Sequence, residues 1–324
     1  MKRILIIQTA FLGDVILATP VISELKRLFP ESAIDIVVKK GNECLLLNNP
    51  HLRSAIIFDK TSGKWKSIIR LTKQFREEKY DLVVNLHRHG SSGIMTAFSK
   101  GKKKYGFKKN PFSILFSKRF NHVIGDGTHE VERNLSLIKE FGAEKLVRPE
   151  LFPSEKDQLK VDGYIMERYY CIAPASVWFT KQLPAAKWIE LIRGIDENTP
   201  IYLVGGLEDV TLCEEIKEIA KHPLVVNLAG KISILQSAAL MKRSTRSYVN
   251  DSGPLHLASS VNANVTAFFC STVPAFGFGP LSDNSEVLEV KDLDCRPCGI
   301  HGHDKCPKGH FSCAKIDLSS LTTL

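Results

Sequence analysis

The stretch Arg3-Ile4-Leu5-Ile6-Ile7-Gln8-Thr9-Ala10-Phe11-Leu12-Gly13-Asp14 decides the fold class. Four consecutive aliphatic residues between charge on one side and Gln8 and Thr9 on the other read as a strand buried on both faces. The Gly13-Asp14 turn then opens a helix through about Val15 to Phe29, stopped by Pro30. A buried strand feeding a helix is half of a parallel strand–helix–strand unit. The basic start followed by an apolar run has the outline of a signal peptide, but Gln8, Gly13 and Asp14 break it too early.

Outward from this stretch the alternation repeats. Ala33 to Val38, Ser54 to Phe58 and Leu82 to Leu86 read as strands, and Trp65 to Glu78 as a helix. A polar stretch, Pro153 to Asp162, precedes a second series. Its strands are Tyr170 to Ala173, Ile201 to Val204, Val225 to Asn227, Tyr248 to Asn250 and Val265 to Phe269. Its helices are Ala185 to Ile195, Glu208 to Lys221, Ile232 to Met241 and one from about Pro254. The expected architecture is α/β: two Rossmann-like domains, residues 1–155 and 156–324, with parallel sheets facing a central cleft. Ligands in such sheets sit at the carboxyl ends of the strands.

The 324 residues suit two domains, and 44% apolar with 24% charged residues suits a globular core. No run nears the roughly 18 apolar residues of a membrane span, so a cytoplasmic protein is expected. Forty-four Lys and Arg against 35 Asp and Glu give +9, pointing to an anionic partner. The charge clusters in Lys100 to Lys104, Lys108, Lys109, Lys118 and Arg119, which reads as a solvated loop or as a patch for a phosphorylated acceptor or membrane surface. Nucleic acid is disfavoured, because no recognition motif or aromatic–basic interleaving occurs.

Four turns carry residues for chemistry. Asp14 lies in the first turn of a helix, where a carboxylate either complements the helix dipole or serves as a general base. Ala173-Pro174-Ala175-Ser176-Val177-Trp178-Phe179-Thr180-Lys181 follows a strand, with small residues for close approach of a phosphate and a lysine to meet its charge. In Gly205-Gly206-Leu207-Glu208-Asp209 the carboxylates either hold a ribose or cap a helix. Asn250-Asp251-Ser252-Gly253-Pro254-Leu255-His256 presents a helix start suited to an anion. No Gly-x-Ser-x-Gly elbow is present, which argues against a serine hydrolase.

Of the eight cysteines, Cys44, Cys171, Cys213 and Cys270 stand in apolar contexts as reduced thiols would. Cys295, Cys298, Cys306 and Cys313 fall within nineteen residues, with His301, His303 and His310 between them. That spacing fits a structural zinc, an iron–sulfur cluster, or an exposed loop without metal.

Taken in order, these stretches resemble glycosyltransferase family 9, the ADP-heptose:lipopolysaccharide heptosyltransferases. The likeness runs from Ile4–Asp14 through Asp81–Asn85, Gly101–Phe107, His129–Asn134, the Ala173–Pro184 loop and Asn227–Lys231 to Asn250–His256. It implies a GT-B fold, with acceptor in the N-terminal domain and donor in the C-terminal one. By the same likeness Asp14 is the base for an inverting single displacement. Ser176, Val177, Thr180 and Lys181 cradle the donor diphosphate, and Glu208 holds the ribose. Asp251, Ser252, Gly253 and His256 line the diphosphate and sugar site, while Gly13, His129 and Arg133 contact acceptor or sugar. The family's usual phosphate-loop glycine is Ala175 here. Catalysis is expected to need no metal. The implied partners are a nucleotide sugar and an anionic lipid-linked saccharide, met peripherally at the inner face of the inner membrane. A member using another nucleotide sugar, or a nucleotide-sugar binder without turnover, stays open.

Overall fold

A computed structural model describes residues 1–61 and 63–321. The chain divides into two compact units, Met1–Phe152 and Pro153–Leu324.

The first unit runs β1 (Arg3–Ile7), α1 (Leu12–Ile16), α2 (Thr19–Leu28), β2 (Ala33–Lys39), β3 (Ser54–Phe58), α3 (Lys64–Glu78), β4 (Leu82–Asn85), α4 (Gly90–Phe98), β5 (Lys103–Phe107), β6 (Lys118–Phe120) and α5 (Glu130–Ser136). Its strands lie in the order β3-β2-β1-β4-β5-β6 and every pair is parallel. Because both faces are covered, the central strands carry aliphatic residues throughout, and Ile4 to Ile7 have no exposed surface. Leu5, Ile7, Val37 and Val83 pack with Phe58, Leu71, Phe75 and Met95 in one core.

The second unit runs α6 (Glu155–Val161), β7 (Tyr170–Ala173), α7 (Ala185–Arg193), β8 (Ile201–Leu203), α8 (Val210–Ala220), β9 (Val225–Asn227), α9 (Ile234–Arg243), β10 (Arg246–Asn250), α10 (Gly253–Ser260), β11 (Val265–Phe269) and β12 (Ser285–Glu289). Its sheet order is β12-β11-β10-β7-β8-β9, again all parallel. Counted from each unit's first strand, the two orders are the same doubly wound arrangement. Tyr170, Ile172, Trp188, Leu191 and Phe268 centre this core. The chain's last described segment folds back into it through Cys313, Ala314, Ile316, Leu318 and Leu321.

Several sequence expectations shift. The helix expected over 15–29 is two, broken at Leu17–Ala18, because Pro20 has no N–H and opens the new helix; Thr19 donates its hydroxyl to the Ile16 carbonyl across the break. The polar stretch 153–162, given no element in sequence, holds a helix. Ser154 accepts from the Asp157 N–H while Asp157 accepts from the Ser154 N–H, a reciprocal cap that starts α6. The lysine run is not one loop either, since Lys103 and Lys104 begin β5.

Candidate active site

In each unit the strand order reverses beside its first strand, between β7 and β10 and between β1 and β4. Connections leaving such a pair diverge to opposite faces of the sheet and open a crevice at the carboxyl ends. At the β7/β10 reversal the segment 174–184 meets 250–253. Asn250, fully buried, organises the meeting: its amide donates to the Pro174 carbonyl at 2.8 Å and accepts from the Leu183 N–H at 2.9 Å. Lys181 then pairs with Asp251 at 2.7 Å, with both side chains largely buried, and Thr272 donates to the same carboxylate oxygen at 2.5 Å. Immediately beyond, Ser252 precedes the first helical residue, Gly253, so the unpaired N–H groups of α10 open beside the ion pair. Ser176 is half-buried and Val177 is 79% exposed.

The remaining donor-side candidates separate by role. Asp209 accepts from the Gly206 N–H at 2.8 Å and so closes the turn after β8, and burial raises its carboxyl. Glu208 stays exposed. Asp209 is therefore the cap of that turn. His256 is buried, its ring 6.3 Å from that of Phe278.

At the β1/β4 reversal Asp14 is half-buried, and its carboxylate accepts from the Phe11 N–H at 3.1 Å. Burial and the nearby charge of Glu130 push its carboxyl up to about 6, against the pull of that N–H and of Arg88. Gly13 directly precedes it in α1. Thr9, leaving β1, bonds the His87 ring at 2.8 Å beyond β4. Burial, with His89, Lys60 and Arg88 close by, drops His87 to about 3, so its imidazole is neutral at physiological pH. His129 caps α5, its Nδ1 accepting from the Val131 N–H. Arg133 is buried, with its guanidinium on the Glu130 carboxylate at 2.7 Å and on the Val123 and Thr128 carbonyls. These bonds tie the 122–133 segment together.

The sequence profile of glycosyltransferase family 9 (heptosyltransferase) matches residues 68–306. The chain belongs to that family. It is 28% identical over 293 residues to lipopolysaccharide heptosyltransferase 3 of Escherichia coli, covering 85% of each chain. It is 26% identical over 316 residues to lipooligosaccharide heptosyltransferase 2 of Haemophilus influenzae, covering 89% of this chain and 88% of that one. The fold matches Escherichia coli ADP-heptose LPS heptosyltransferase II with a TM-score of 0.79 at 22% identity, over 99% and 98% of the two chains. The protein is therefore a heptosyltransferase-family glycosyltransferase with the GT-B fold, two parallel six-stranded sheets clothed in helices. The profile match begins at residue 68, beyond the Asp14 turn.

Sequence reasoning gave no separate role to Glu130, His87 or Asn250, each of which acts through a neighbour in its own unit: Glu130 on Asp14, His87 on Thr9 and Asn250 on the 174–184 segment. The cysteine tail lies against the 174–184 loop, where His303 bonds Thr180. Its thiols are neighbours, since burial and then Cys298, Cys306 and Cys295 lift Cys313 to about 11. Cys295 Sγ stands 4.0 Å from His310 Nε2. Among the described residues no three His, Cys, Asp or Glu side chains converge as a metal-ligand set.

Proposed function

We propose that the protein transfers heptose from ADP-heptose to a lipopolysaccharide inner-core acceptor in one inverting displacement. The observation that carries this reading is the raised carboxyl of Asp14 at the β1/β4 strand reversal. An acceptor hydroxyl is a poor nucleophile, and a base near the working pH contributes about 10²–10⁴-fold. Asp14 takes the hydroxyl proton as that oxygen bonds to the sugar's anomeric carbon. The bond from that carbon to the diphosphate breaks on the opposite face, and ADP leaves with the electron pair. Lys181 and the N–H groups of α10 meet the charge on the diphosphate, so the step uses no resident metal. Exposed Glu208 accepts the ribose hydroxyls, and Ser176, Val177 and Thr180 frame the phosphates.

The test is a thermal-shift panel of ADP, UDP, GDP and CMP, followed by turnover with ADP-heptose. A ligand at 100 times its Kd stabilises by about 2.7 kcal/mol. A shift confined to ADP, with turnover on a core acceptor, supports the reading. A shift confined to UDP or GDP replaces the sugar, and no shift removes the donor site.

An anionic lipid-linked acceptor places the protein at a membrane surface. No helix among the described residues is long and apolar enough to cross one. Of the clustered cations, Lys102 pairs with Asp81 and Lys118 with Glu140. Lys108, Lys109 and Arg119 are exposed around a loop whose tip shows Ile114 at 77% and Leu115 at 48% exposure. Apolar tips between cations suit an anionic bilayer surface. Sedimentation with anionic vesicles, lost in Ile114→Ser/Leu115→Ser and absent with zwitterionic vesicles, tests this placement; equal sedimentation of the variant overturns it. For the tail we propose a structural zinc drawn in by Cys295, Cys298, Cys306 and Cys313. The thiol chemistry suits zinc, and one equivalent of metal in the purified protein supports it, whereas none removes it.

A further inference from the structure

The cysteine tail is stitched to the donor loop by its backbone as well as lying against it. Arg296, its side chain 6% exposed, spreads its guanidinium over the carbonyls of Phe269, Cys270, Thr272 and Val290 and the Glu289 carboxylate. Cys298 N–H donates to the Ser271 carbonyl at 3.0 Å. His303 then forms a two-way bond with Thr180: its N–H donates to the Thr180 hydroxyl at 2.8 Å, and its carbonyl accepts from the Thr180 N–H at 3.0 Å. Ser271 donates to the same hydroxyl at 3.0 Å, and Thr180 is 1% exposed. Lys181 follows directly, held by Asp251, which Thr272 also holds. The contacts therefore close a ring from Lys181 through Asp251, Thr272, Arg296, Cys298 and His303 back to Thr180.

We propose that residues 296–303 are a positioning strap that fixes the Thr180–Lys181 turn in its diphosphate-binding form. The proposal rests on the reading that Lys181 meets the donor diphosphate. Gly302 is the point of closest approach. Its φ is +84°, and a Cβ there would lie 2.9 Å from Lys181 Cγ, 3.1 Å from Trp178 Cβ and 3.2 Å from Thr180 Oγ1. A side chain at 302 must push the turn or the strap away. Gly309, in the same tail at φ +76°, has nothing within 4 Å of such a Cβ, so it reproduces the backbone strain without the contact.

The experiment measures calorimetric affinity for ADP and for adenosine in the full chain. Gly302→Ala is expected to weaken ADP roughly tenfold, about 1.4 kcal/mol, while leaving adenosine unchanged. Gly309→Ala keeps the wild-type ratio. Arg296→Lys, which keeps a charge for Glu289 but cannot span the Cys270, Thr272 and Val290 carbonyls, loses part of the same increment. This variant decides the matter if Gly302→Ala does not fold. An unchanged ADP-to-adenosine ratio in Gly302→Ala and Arg296→Lys overturns the strap while leaving the donor reading intact. Failure of the wild-type protein to bind ADP overturns the donor reading, and the strap with it.

Discussion

Asp14 holds its position as a helix cap and its basicity as a half-buried charge, and the two can be separated. Asparagine at this position keeps an oxygen for the Phe11 N–H but cannot take a proton. Asp14→Asn is therefore expected to lose about 10²–10⁴-fold in kcat with ADP affinity unchanged, read by steady-state kinetics and calorimetry. In the native enzyme kcat/KM should fall as pH drops through about 6 and be flat above it. The stability effect has the opposite sign. A carboxyl raised above its unfolded value adds stability below pH 3.8 that is lost as pH rises through about 6. Asp14→Asn should thus melt higher than wild type at pH 8, and the difference should shrink toward pH 4. From sequence the aspartate was legible by its place after a strand and a glycine. Glu130, which helps raise it, was not, because more than a hundred residues separate the two and only the packing of 122–133 against that turn couples them. Arg133, which reads as a ligand in sequence, also has a local part: it bonds Glu130 and the Val123 and Thr128 carbonyls.

At the scale of elements, the strands were the most legible parts, since double-sided burial writes them as aliphatic runs such as Ile4–Ile7 and Leu82–Val84. Short helices were not. Both α5 and α6 span seven residues, too few for periodicity to stand out, although Ser154 and Asp157 leave a capping signature. The 174–184 loop owes its shape to one buried amide. Asn250→Ala would leave the Pro174 carbonyl and Leu183 N–H without their partner. A loss of about 1–3 kcal/mol per buried group follows, measured by denaturant unfolding, with weaker ADP binding alongside.

Across the whole molecule, two units with separate cores repeat one strand order. Each core can melt as its own cooperative block. Scanning calorimetry is expected to resolve a transition that ADP raises, belonging to residues 153–324, and one that it leaves in place. Coincident transitions that both move with ADP would show the units melting as one.

The ion pair of Lys181 with Asp251 carries one more consequence. Before any donor arrives, the lysine already has a resident counter-ion, held in turn by Thr272. If Lys181 meets the donor diphosphate as proposed, an incoming anion must outcompete a tethered carboxylate, which a lone inorganic phosphate would do poorly. A nucleotide would bring ribose and base contacts of its own. On that reading the occupied positive charge discriminates against the cell's abundant small anions in favour of a ligand with several points of attachment.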